Sequence, residues 1–152
     1  MSKAQFVYVT YIAATPEQVW DALSDPELTK LYWSDHRNVS DWKTGSTWRH
    51  EEYDNAAEVD IIGTVLESDR PRRLVISWAR PNEVENPAKV SRVTFDIVRK
   101  ADAVRLTVTH DDLESDSTML VGITSGWPVV LAGLKTLLET GKQLASSDQL
   151  MA

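Results

Sequence analysis

The chain has 152 residues, a formal net charge of −7 and a sequence pI near 4.9. That length fits one domain spanning 1–152, able to bury roughly two thirds of its unfolded surface, and the acidic balance argues against nucleic acid, whose phosphates need a basic face. With no Cys, no signal-peptide pattern at the N-terminus and no apolar run approaching the ~20 residues of a membrane span, the expectation is a cytoplasmic protein with no membrane insertion.

Residues 5–12 are β-branched and aromatic, which predicts a strand. Thr15-Pro16-Glu17-Gln18 supplies a capped helix start with Pro at the first helical position, and Val19, Trp20 and Leu23 give that helix a short apolar stripe. Ser24-Asp25-Pro26 breaks it, and a second short helix is predicted over 27–33 through Leu28, Leu31 and Tyr32. A polar stretch from Ser34 runs on to Trp42 and the turn Lys43-Thr44-Gly45-Ser46. Strands follow at about 47–53, 59–67, 72–79, 89–98 and 103–110, joined by short polar turns that imply antiparallel pairing. In the last of them Val104, Leu106, Val108 and His110 share one face. Val93, Phe95 and Ile97 alternate in the same way, as do Leu74, Ile76 and Trp78, so the sheet has one buried and one wet face.

The longest helical pattern occupies 117–144. Ile123, Trp127, Val130/Leu131, Leu134 and Leu137/Leu138 recur in steps of three and four, which places them on one face. Ser125, Gly126 and Pro128 read as its start, whereas a helix already running through 118–124 would be kinked at Pro128. Gly141 marks its end. One long helix must therefore cover one face of an antiparallel sheet, an α+β arrangement.

This order, with several local phrases, resembles the START-like (SRPBCC) superfamily and its helix-grip, Bet v-like fold. More narrowly it is similar to the single-domain bacterial homologues of the heat-shock protein 90 ATPase activator. The residues that carry the resemblance are Thr15-Pro16-Glu17-Gln18-Val19-Trp20-Asp21-Ala22-Leu23-Ser24-Asp25-Pro26-Glu27, Gly63-Thr64-Val65-Leu66-Glu67 and Pro71-Arg72-Arg73-Leu74-Val75. Ser91-Arg92-Val93-Thr94-Phe95, Leu106-Thr107-Val108-Thr109-His110 and Gly126-Trp127-Pro128-Val129-Val130-Leu131 complete it in order. The resemblance implies a curved sheet wrapped around the long C-terminal helix, two short helices after the first strand, and a deep cavity between sheet and helix. The alternation names the side chains that would face that cavity: Trp48, His50, Trp78, Phe95, Leu106, Val108 and His110 from the strands, Trp127, Leu131 and Leu134 from the helix, and Trp33 near the mouth. A lining that is mostly apolar with a few donors suits a small-molecule site. The same residues equally fill a solid core.

Signals for catalysis are few. No glycine pattern cradles phosphate, and Gly122-Ile123-Thr124-Ser125-Gly126 holds its Ser one place late for a nucleophile elbow. Ser34-Asp35-His36 sets triad residue types side by side, although triads assemble in space. His110-Asp111-Asp112 is the one metal-like cluster, and its place at a strand end suits a solvated turn better; no metal and no cofactor are expected. His50 and His110 are the ionisable groups expected to point inward, either as ligand donors or general bases or as histidines satisfied by neighbours. Glu52 shares the face of His50 and is placed to orient it. Arg70, Arg72 and Arg73 read as a solvated hairpin end, and the sequon Asn38-Val39-Ser40 carries no meaning without secretion.

The leading expectation is binding of a hydrophobic or aromatic small molecule, lipid-like or polyketide- or flavonoid-like, by a monomer or homodimer. A polyketide cyclase or aromatase using a cavity His, and a cochaperone-like modulator of a chaperone ATPase, are the alternatives.

Overall fold

The computed structural model describes residues 3–151. Seven antiparallel strands form one sheet: β1 (Lys3–Ile12), β2 (His36–Val39), β3 (Thr47–Glu52), β4 (Asn55–Asp69), β5 (Arg73–Trp78), β6 (Ser91–Lys100) and β7 (Ala103–Glu114). Their order is β1-β7-β6-β5-β4-β3-β2, so β1 and β2 are the edges. Two short helices, α1 (Pro16–Ser24) and α2 (Pro26–Thr29), follow β1; the long α3 (Thr118–Thr140) comes after β7 and is followed by one turn of helix, α4 (Ser147–Leu150).

The sheet curves because its ladders are interrupted. Register shifts put extra residues in β7 opposite Ala4/Phe6, in β4 opposite His50–Glu52, and in β4 again at Val65/Glu67, and such bulges bend a strand. β4 pairs with β3 through Thr64 and with β5 from Val65, which carries the sheet around the core. Close approach at this bend requires Gly63: a Cβ there would sit 1.9 Å from the Ser77 carbonyl oxygen and 2.6 Å from Trp48 Nε1. α3 lies against the concave face, burying Ile123, Trp127, Val130, Leu131 and Leu134. This is the expected helix-grip arrangement, and the capping box at Thr15 and Gln18 also forms as read from the sequence.

Three expectations need correction. α3 begins at Thr118, capped by Ser117, and runs unbroken through Pro128, so Ser125 and Gly126 are interior residues. Thr124 and Ser125 turn their hydroxyls back to carbonyls of the preceding turn, which lets polar residues sit within a helix. The second helix stops at Thr29, and the chain reaches Asp35 through turns instead of helix to 33. The stretch after Ser34 contains a strand, β2, whose hydrogen-bonding partner β3 supplies an ordering force that its polar sequence does not reveal. By length and composition α3 would also pass for a membrane span; here its apolar stripe is the cover of the sheet.

Candidate functional site

Where α3 crosses the concave face, three tryptophans from three elements meet. Trp33 follows α2, Trp78 ends β5 and Trp127 belongs to α3. Their ring centroids are 6.5 Å (Trp33–Trp78), 5.4 Å (Trp33–Trp127) and 5.6 Å (Trp78–Trp127) apart, within the range of contacting aromatic pairs. A cleft of about 140 Å³ opens over these rings and is completed by Gly122, Ile123, Gly126 and Val130 of α3. The two glycines keep it open, since a Cβ at either would meet no atom within 4 Å. No ionisable side chain lines it. Larger hollows of about 280 Å³ and 560 Å³ lie among the paired charges of Lys89 and Glu114 and over Pro71 and Val98; no tryptophan lines either.

Behind the cleft runs a chain of hydrogen bonds whose direction is determined. Trp127 Nε1 can only donate, and it reaches His110 Nδ1 at 3.0 Å. His110 must then carry its proton on Nε2, which donates to Ser91 Oγ at 2.8 Å, and Ser91 donates on to the Trp78 carbonyl at 3.2 Å. His110 is completely buried, and burial pushes its pKa down to about 4. It is a neutral imidazole with its lone pair occupied. Trp48 Nε1 is likewise engaged, by the Ser77 carbonyl at 2.7 Å. Trp78 Nε1 differs: it is buried and has no acceptor among the described residues.

His50 packs at a tilt against Trp33, 5.2 Å between centroids, and stacks on His36 at 4.6 Å. Its Nδ1 donates to Asn38 Oδ1 at 2.7 Å, and burial, with His36 nearby, pushes its pKa down to about 3. Glu52 does not orient it. Glu52 is exposed, and Glu51, on the face opposite His50, is buried beneath two arginines, with Arg37 Nε 2.7 Å and Arg49 Nη2 3.1 Å from its oxygens. His36 Nε2 faces Asp60 at 2.6 Å and its Nδ1 the Ser34 carbonyl at 2.6 Å, so its acidic partner is Asp60 and not Asp35. His110 points in while Asp111 pairs outward with Arg92, and no cluster of three metal-ligating side chains exists among the described residues.

Of the residues named from sequence, Trp33, Trp78 and Trp127 line the cleft. His50, His110 and Phe95 touch those rings from behind, and Trp48 backs Trp78 at 5.6 Å. Leu106, Val108, Leu131 and Leu134 are buried in the core and do not line it. Sequence reasoning missed Asn38, Ser91, Gly122 and Gly126. Ser91 has the strand parity of Val93 and Phe95, a signal that would have placed it inward. Gly122 and Gly126 are one helical turn apart, which a helix begun at 118 would have put on one stripe.

The family model described as Activator of Hsp90 ATPase homolog 1-like protein matches residues 13–139. The chain belongs to this family. No curated protein matches it in sequence. Among solved structures, CalU16 from Micromonospora echinospora aligns with a TM-score of 0.71 and 21% identity over 90% of this chain and 77% of its own. The Aha1 dimer from Colwellia psychrerythraea aligns with a TM-score of 0.73 and 18% identity over 91% and 98%. DynU16, a protein of the dynemicin biosynthetic locus, gives 0.71 and 21% over 91% of this chain and 48% of its own. At such identities these family-like structures share the fold alone.

Proposed function

We propose that the protein binds an apolar or aromatic small molecule over Trp33, Trp78 and Trp127 without transforming it. One observation carries this reading: α3 presents Gly122 and Gly126 to an apolar aromatic wall and leaves the space between unfilled. Interior helical glycines each cost about 0.5–1 kcal/mol relative to Ala, so a surface cleft kept open by two of them is a feature with a stability cost. A ligand of ring size gains about 25 cal/mol for each Å² of apolar area it hides there. A cleft near 140 Å³ suits a single ring or the edge of a larger planar molecule, since apolar cavities of that size hold benzene. Binding in preference to catalysis is supported by His110, whose lone pair is taken, and by a lining without an acid or base. DynU16, from a biosynthetic locus, is compatible with a small-molecule ligand.

Toluene titrated into the protein, with the indole N–H signals followed by NMR, tests this. Saturable shifts in wild type that vanish in Gly126→Leu support the site; linear drift in both proteins removes it. The family name supports a second reading, modulation of a chaperone ATPase, and unchanged ATP hydrolysis by the host's Hsp90-type chaperone on adding the protein would remove that one.

For assembly, the homodimer is favoured over the monomer. The Colwellia relative is a dimer, and β1 is an edge strand with no charged residue from Ala4 to Ala14 and with Val7, Val9 and Tyr11 exposed. Such an edge is open to pairing with another strand. The absence of Cys supports a cytoplasmic setting.

A further inference from the structure

We infer that the ligand carries a hydrogen-bond acceptor, a carbonyl or equivalent oxygen on a planar ring, and that the Trp78 indole N–H is the group that recognises it. The inference rests on the cleft being a binding site and says which chemistry it selects.

Trp78 is 6% exposed and forms part of the cleft wall, yet its Nε1 is shielded from solvent and has no acceptor among the described residues. A buried donor left unpaired costs about 1–3 kcal/mol, and native structures rarely keep one. The neighbouring tryptophans show that this interior can satisfy indoles: Trp48 has the Ser77 carbonyl and Trp127 has His110. Ser91 and His110 surround Trp78 with polar atoms, but these are committed to one another and to the Trp78 carbonyl. The Trp78 N–H is thus a buried donor beside the cleft that an incoming group can satisfy.

The route this inference requires runs between Trp33 and Trp78. Their rings are nearly parallel, 25° apart, with centroids 6.5 Å apart, close to the outer limit of contacting pairs. A flat ring entering past Gly122 and Gly126 parts this pair, stacks on Trp33 and brings an oxygen on its edge to Nε1. A hydrocarbon of the same shape fills the same space and leaves the donor unpaired. A site built to hydrogen-bond a ligand discriminates against an analogue that lacks the bonding group.

Acetophenone and ethylbenzene are a matched pair of ring-sized probes, one with the acceptor and one without. Each is titrated into ¹⁵N-labelled protein, and the Trp78 indole signal is assigned through its contacts with the Trp127 and His110 rings. Acetophenone is expected to move the Trp78 N–H proton downfield and to bind roughly tenfold more tightly, the effect of one neutral hydrogen bond. In Trp78→Phe the two probes are expected to bind alike. Should that variant not fold, the downfield shift in wild type decides alone. Equal affinities with an unmoved Trp78 signal overturn the acceptor inference and leave the cleft as an apolar site. Failure of both probes to bind saturably overturns the binding reading and the inference together.

Discussion

His110 shows how a buried histidine is made inert. Its two nitrogens are committed to Trp127 and Ser91, and burial holds its pKa near 4, with His50 near 3. The unfolded chain binds these protons near the ordinary value of 6.5, so the folded state binds fewer between pH 6.5 and 4. Stability is therefore complete above pH 6.5 and is lost as pH falls through that window, by about 1.4 kcal/mol per pH unit for each histidine. Urea unfolding at pH 7 and pH 5 should show this loss, and His110→Gln should remove about half of it; an unchanged pH slope in the variant contradicts the assignment. Gly63 is the other residue on which local geometry depends. Gly63→Ala forces a Cβ into the Ser77 carbonyl, with an expected cost of about 3 kcal/mol by thermal or urea unfolding, whereas a cost below ~0.5 kcal/mol would show that β4 relaxes freely at this bend.

Among the elements, α3 combines a structural and a binding role along its length. Its C-terminal half is sealed: Lys135 bonds the Tyr11 carbonyl and Glu139 accepts from the Ala13 N–H at 2.8 Å, closing one end of the β1 edge. Its N-terminal half carries the glycines, the back-bonded hydroxyls and Pro128, which leaves the Thr124 carbonyl without its helical donor. Gly126→Ala should raise stability by about 0.5–1 kcal/mol, because no atom opposes the added methyl, while Gly126→Leu should abolish ring binding with the fold intact. Circular dichroism melts and the toluene titration read the two effects separately. The strands were the legible elements, because a period of two assigns a face to every residue, and it placed Trp78, Phe95 and His110 inward. β2 was hidden, because a four-residue polar edge strand carries no alternation, and only tertiary pairing turns Asn38 towards His50. The partner of His50 was misread because it comes from across the ladder, Asn38 of β2, and not from the same strand. The first turns of α3 were obscured by the same glycines and hydroxyl residues that shape the cleft.

At the scale of the whole molecule, one curved sheet and one helix enclose an aromatic interior with a ring-sized opening over three tryptophans. Residue order was sufficient to read this fold, because short turns between alternating strands and a single long amphipathic helix admit few other arrangements. The size of the opening was not legible, since it depends on how three indoles from distant positions divide a shared volume. For assembly, sedimentation of the wild type should give twice the chain mass, and Val9→Lys should return it to the monomer by placing a charge on the exposed β1 edge. A wild type that sediments as a monomer at all concentrations excludes that pairing. The claim on which the rest depends is that the cleft holds a molecule, and native mass spectrometry of wild type and Gly126→Leu, prepared side by side from the protein's own host, tests it most directly. The account predicts a small excess mass on the wild type that is lost on denaturation and absent from the variant; bare polypeptide mass for both would contradict it.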